Sequence, residues 1–239
     1  MKDLNCWEKK FKSCSYSDRL LDKLLQLNEK AEKKININEV KKAIYYAKKY
    51  HGQQKRQSGL PYYTHPLEVA NMVADHCFKT DILVTSILHD TLEDTLLTQK
   101  MIKDIFNQTI AQQVESLTRI KLDHNKLKKK ISATEIVDLL WLQNKEDLLL
   151  IKLFDRIHNI QTIHSKSPEK ILETVQETLK KFISLSIYFQ ANKPSLFKIN
   201  QTILNLCYQQ LPIKQHQFLY NNQSIMFSLD NFQLPLLNV

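Results

Sequence analysis

Apolar residues recur at the three- and four-residue spacing of amphipathic helices along nearly the whole chain. Leu20, Leu21, Leu24, Leu25 and Leu27 predict a short first helix. Asn38 is the expected cap of a second, which buries Val40, Ala43, Ile44 and Ala47 and stops near Gly52. From Gln53 to Thr64 the period is lost, Ser58, Gly59 and Pro61 intervene, and the stretch reads as an ordered loop. Pro66 suits the first turn of the next helix, whose inner face is Leu67, Ala70, Val73 and Ala74. Asp81 is expected to cap a helix carrying Leu83, Ile87 and Leu88, and Thr98 to open another that Asn107 closes. Further helices are predicted over Ile110 to Ile120, Ala133 to Leu142, Asp147 to Ile163, Pro168 to Gln190 and Ile199 to Cys207. No stretch of the first 165 residues alternates with period two, and the end of the chain beyond Cys207 shows no clear period. The fold class is all-α, divided into an N-terminal helical extension (1–35), a main helical domain (36–192) and a helical or irregular C-terminal appendage (193–239).

Composition narrows the chemistry. Only Gly52 and Gly59 are present in 239 residues, against a usual ~7% glycine. Glycine-rich phosphate loops and dinucleotide fingerprints need several glycines for close backbone approach, so both are excluded. The net charge of +9 suits a polyanionic ligand, although lysines spread over solvated helix faces would give the same sum. The densest basic stretch, Lys126 and Lys128 to Lys130, reads as a loop and has no interleaved aromatics, so no nucleic-acid partner is expected. Cys6, Cys14, Cys77 and Cys207 form no CxxC pair, which points away from a zinc knuckle or disulfide framework and toward a reducing compartment. The polar N-terminus is no signal peptide, and no apolar run approaches the roughly 18 residues that span a bilayer. A cytoplasmic protein with no membrane contact is expected.

The segment Leu88-His89-Asp90-Thr91-Leu92-Glu93-Asp94-Thr95 carries the chemistry. On a continuous helix His89 would stand over Glu93 and Asp90 over Asp94. Carboxylates so crowded repel one another unless something positive neutralises them, and a divalent metal does so economically. The pair Asp75-His76 shows that a lone His-Asp is weak, and it reads as an exposed helix end. Two further residues strengthen the first pair. His65 follows the ordered loop directly before Pro66, and Asp155 interrupts the apolar run Leu148 to Phe154. Taken singly, His65 could be a helix-start histidine bonded to backbone, and Asp155 a salt-bridge partner of Lys152 or Arg156. Together His65, His89, Asp90 and Asp155 offer two imidazoles and two carboxylates, a mixed set that suits Mn²⁺ or a similar first-row ion.

Residues His51 to Pro66, Leu88 to Thr95, Ser116-Leu117-Thr118-Arg119-Ile120 and Ile151 to Thr162 resemble, in order, the hydrolase-domain motifs of the Rel/Spo family of alarmone enzymes. The resemblance spans roughly Val40 to Ile163. It implies an HD-domain helical bundle that hydrolyses ppGpp and pppGpp at the 3′ position, giving GDP or GTP and pyrophosphate. It also implies one Mn²⁺ on His65, His89, Asp90 and Asp155, with Glu93 and Asp94 activating water and handling the proton. Arg56 matches the arginine that packs on guanine, and Asn159 and Thr162 match residues near the ribose. Lys55 and Ser58 join the substrate-binding set. The motifs depart from the family at Gln57, where a second cation is usual, so that either phosphate contact is weakened or Lys55 substitutes, at Leu60 in place of Glu, and at Asn107 in place of Gly. The residues after Ile163 are too few for the synthetase domain of the bifunctional enzymes, so a hydrolase alone is expected. The C-terminal appendage is a candidate homodimer contact. Two alternatives share the pocket: a phosphohydrolase acting on another nucleotide such as NADPH, and a silent nucleotide-binding regulator.

Overall fold

Two helices buried on nearly every side organise the molecule in the computed structural model, which describes residues 7–122 and 128–211. In α5 (Thr80–Leu88) every residue from Ile82 onward is buried, and in α10 (Glu146–Gln161) burial is unbroken from Leu148 to Ile157. A helix buried all round must be wrapped by others. The helices before them are α1 (Trp7–Lys10), α2 (Ser15–Lys30), α3 (Ile37–His51) and α4 (Thr64–Val73). Between them lie α6 (Thr91–Asp94), α7 (Gln99–Ile105), α8 (Gln108–Leu117) and α9 (Ala133–Leu142), and after them α11 (Pro168–Glu177), α12 (Ile183–Asn192) and α13 (Ile199–Gln209). Helix α4 lies between α5 and α10; α3 and α8 cover α5, while α9 and α13 cover α10. The all-α expectation holds.

One hydrophobic core runs from Leu20 on α2 to Leu211 beyond α13, so the outer segments pack on the same core as residues 36–192. Helices α11 and α12 form one long rod with a π-helical turn at Thr178–Phe182 between them. Among the described residues no helix is long and apolar enough to cross a membrane, and Cys14, Cys77 and Cys207 are free.

Several local expectations need correction. Asn36, not Asn38, caps α3, its side chain accepting from the backbone N–H of Asn38 and Glu39. Asp81 lies inside the first turn of α5, which starts after Lys79 with no side-chain cap. Asn107 opens α8, accepting from Ile110 N–H, instead of closing α7. A small antiparallel hairpin also forms, β1 (Ile120–Leu122) with β2 (Lys128–Lys130), Ile120 opposite Lys130. Three-residue strands are shorter than the window in which alternation can be read. Part of the lysine-rich stretch is therefore strand; Lys126, Cys6 and the unassigned C-terminal end lie outside the described residues.

Candidate active site

The loop before α4 is a compact hairpin of its own. Tyr62 N–H donates to the Gln54 carbonyl (2.9 Å), Arg56 N–H to the Leu60 carbonyl (2.8 Å), and Gly59 N–H to the Arg56 carbonyl (2.9 Å). Gly59 takes φ +84°, a conformation that costs glycine nothing. This closure delivers Arg56 and Tyr62 to the mouth of a cleft of about 730 Å³ and His65 to its floor. Lys55 and Ser58 line the exposed rim.

The floor is built from three segments. Helix α5 ends at Leu88, where Thr91 Oγ1 donates to the Leu88 carbonyl (2.6 Å) and His89 Nδ1 lies 2.7 Å from the Ser86 carbonyl. A carbonyl only accepts, so His89 Nδ1 carries the proton and Nε2 presents a lone pair. That Nε2 is buried without a hydrogen-bond partner, and it stands 3.2 Å from Asp90 Oδ1 and 3.9 Å from Asp155 Oδ1. His65 Nε2 lies 3.2 Å from Asp155 Oδ1 and 3.6 Å from Asp90 Oδ2. Donor atoms of His65, His89 and Asp155 fall within 4.8 Å of one another, and Asp90 turns one oxygen toward each imidazole. A buried imidazole nitrogen without a hydrogen-bond partner, facing two carboxylates, fits a divalent cation. The four residues expected as ligands are brought together.

Charge is handled partly by the protein. Lys152, 5% exposed, holds Asp155 Oδ2 at 2.7 Å, and Asn159 Nδ2 donates to Asp155 Oδ1 at 2.7 Å. Burial pushes the Asp155 carboxyl up, but Lys152, the His65 hydrogen bond and the nearby imidazoles outweigh it and hold it well below the usual carboxylate range. The salt-bridge reading of Asp155 holds on Oδ2, while Oδ1 is left facing the two imidazoles, where a ligand would be needed.

The acid pair after Asp90 separates. The helix breaks at His89-Asp90 and resumes as the short α6, so Glu93 does not stack under His89. Its carboxylate accepts from Arg119 N–H (2.6 Å) and Arg119 Nε (3.2 Å). Asp94 stays beside Asp90: Tyr62 Oη lies 2.8 Å from Asp94 Oδ2 and 3.2 Å from Asp90 Oδ2. Burial, then the Asp90 and Glu93 charges, raise the Asp94 carboxyl despite the Tyr62 hydrogen bond.

Arg56 is tied to the floor by two routes. Its Nη2 donates to Asn159 Oδ1 (3.2 Å) and Thr162 Oγ1 (3.1 Å), and its Nη1 to His158 Nδ1 (3.1 Å). His158 Nδ1 also lies 2.7 Å from His65 Nδ1. Burial, with His65 and Arg56 beside it, depresses the His158 imidazole to about 3 and keeps it neutral. Asn159 and Thr162, expected near a ribose, line the cleft and also bond within the protein: Asn159 links Arg56 to Asp155, and Thr162 donates to the His158 carbonyl (2.8 Å). Sequence reasoning gave no role to Tyr62 or His158, and it offered Lys152 only as one of two salt-bridge partners of Asp155. Their only signal was position, three residues from His65 or Asp155 in each case.

Comparison with known proteins identifies the family. A family model described as HD domain matches residues 43–186. A second model, the N-terminal of ubiquitin carboxyl-terminal hydrolase 37, matches residues 146–231, less than half of the chain. The GTP pyrophosphokinase rsh of Brucella ovis is 39% identical over 157 residues, 64% of this chain and 21% of the relative. The guanosine-3′,5′-bis(diphosphate) 3′-pyrophosphohydrolase of Aquifex aeolicus is 36% identical over 153 residues, 63% of this chain and 21% of the relative. The chain spans about a fifth of the length of these curated relatives. A solved metazoan structure, titled "A metazoan ortholog of SpoT hydrolyzes ppGpp and plays a role in starvation responses", shares the fold at TM-score 0.53 and 19% identity, covering 72% of this chain and 95% of that one. The chain belongs to the HD-domain family, in its Rel/Spo branch.

Proposed function

We propose that the protein is a Mn²⁺-dependent pyrophosphohydrolase that removes the 3′-diphosphate of ppGpp or pppGpp, giving GDP or GTP and pyrophosphate. One observation carries the reading: two imidazoles and two carboxylates from three segments converge beside Asp94, an acid that no cation of the protein pairs in the described structure. The relatives' names supply the nucleotide. In this reading His65, His89, Asp90 and Asp155 hold the ion, which supplies Lewis acidity and offsets phosphate charge. Asp94 takes the proton from the attacking water, its raised pKa suiting a general base, and Tyr62 orients it. Glu93, held on both oxygens by Arg119, braces the cleft wall. Arg56 lies under the guanine, and Lys55 and Ser58 meet phosphate at the rim. Free cysteines fit a reducing, cytoplasmic setting. Purified protein with Mn²⁺ should release pyrophosphate from ppGpp, and His89→Ala should not. Equal background release by both proteins would refute the proposal.

A further inference from the structure

Along α10 the groups facing the cleft come one turn apart, Asp155, Asn159 and Thr162, so the axis advances roughly 10 Å from the first to the last at ~1.5 Å per residue. Past Thr162 the chain makes a 3₁₀ turn (Ile163–Ser165) and reaches Lys166, which also lines the cleft. Four cations meet at this end. Arg56, Arg156 and Lys170 each have a partner: Arg56 the α10 network, Arg156 the Glu177 carboxylate at 2.7 Å, Lys170 the Glu173 carboxylate at 2.7 Å. Lys166 is half-buried, and its ammonium has no hydrogen-bond or ion-pair partner among the described residues. Burial first, then Arg56, Lys170 and Arg156, push its pKa down. An unpaired ammonium held against three other cations is a cost to the fold that an anion would remove. The N-terminus of the ten-residue α11, capped by Ser167, begins immediately after it and adds to the positive potential.

We infer that Lys166 is the centre of a second anion subsite, at the end of the cleft remote from the four-ligand floor, which takes the 5′-polyphosphate of the nucleotide. The inference rests on the proposed 3′-pyrophosphohydrolase reading, because that reading puts the 3′-diphosphate over the floor and leaves the 5′ end to run along α10. Lys166 then acts on specificity: it distinguishes nucleotides by what they carry at the 5′ position and leaves the 3′ chemistry alone.

The test is a series of guanosine 3′-diphosphates bearing a 5′-hydroxyl or one, two or three 5′-phosphates, with pyrophosphate release followed for wild type, Lys166→Gln and Lys166→Arg. Wild-type kcat/KM should rise with 5′ charge. Lys166→Gln should lose about tenfold on the 5′-phosphorylated substrates, the scale of one charge-assisted contact, with the loss in KM. It should match wild type on the 5′-hydroxyl substrate, and Lys166→Arg should restore the preference. A loss of equal size on every substrate, or none on any, would overturn the inference. A second readout does not depend on turnover: in EDTA, GDP should bind wild type more tightly than guanosine does, and Lys166→Gln should erase that difference. If no substrate is turned over but this difference appears, the subsite stands and the hydrolase reading falls. If GDP and guanosine bind alike to both proteins, the subsite falls.

Discussion

Asp155 turns one oxygen to Lys152 and the other to the candidate metal site, and separating the two roles tests that site without assaying catalysis. Its Oδ2 holds Lys152 at 2.7 Å and its Oδ1 faces the two imidazoles. Removing one partner of a buried ion pair costs about 3–5 kcal/mol, and the low end applies because Asp90 remains near Lys152. Asp155→Asn should therefore lower the metal-free Tm by about 6–12 °C, at ~2–4 °C per kcal/mol for a chain of this size. Lys152→Met should do similar harm for the opposite reason, leaving Asp155 and Asp90 to repel. The two variants part company when Mn²⁺ is added. At a hundred times its Kd an ion contributes about 2.7 kcal/mol, so wild type should gain roughly 5–11 °C. Lys152→Met should gain at least as much, because the ion replaces the lost positive charge, whereas Asp155→Asn should gain little. The double variant should sit near wild type without metal and fail to respond to it. Differential scanning fluorimetry of the four proteins over a Mn²⁺ titration gives every number needed. A double variant that responds to Mn²⁺ like wild type would refute the assignment of Asp155 as a ligand, and a wild type that never responds would refute the centre.

Other outcomes follow from the same geometry. Asp94→Asn should cut turnover by ~10²–10⁴, the range of a lost general base, while keeping the metal-induced rise in Tm; Glu93→Gln, whose partner is Arg119, should cost turnover less than Asp94→Asn and stability more. Metal-free stability should be flat above pH 6.5 and fall from there toward pH 3, because an unfolded chain protonates His158 near 6.5 while the folded one resists to about 3. His65, also depressed by burial, adds to the slope, and His158→Gln should shallow it in acid denaturation curves. Among the described cysteines, Cys14 should alkylate first at pH 8: burial opposes its thiolate, but hydrogen bonds with Ser17 win and lower its pKa, while burial pushes Cys77 and Cys207 up to about 12. Mass spectrometry of a timed iodoacetamide reaction would expose any other order.

The four candidate ligands were legible in the sequence because each broke a local rule. Asp155 interrupts an apolar run, His65 precedes a helix-starting proline, and His89-Asp90 adds charge at the end of an apolar helix. Of the expected substrate set, Asn159 and Thr162 line the cleft, and their contacts with Arg56 were not legible in the sequence. The expected stacking of His89 on Glu93 failed because Thr91 and His89 cap the α5 carbonyls and break the helix between the two residues. Cap positions slipped by one or two residues where several polar side chains competed, as at Asn36 and Asn38.

Helical periodicity, a shortage of glycine and the order of the polar motifs were enough, read along the chain, to define an all-α protein and to single out its candidate ligand residues, since these properties are local in sequence. Long-range contacts decided the rest. Arg56 meets Asn159 across 103 residues, Arg119 meets Glu93 across 26, and His65 meets His158 across 93. Which acid is left without a cation, which imidazole nitrogen faces the candidate metal site and which lysine lacks a partner among the described residues depend on packing, because a hydrogen bond forms only where folding has brought donor and acceptor within about 3 Å.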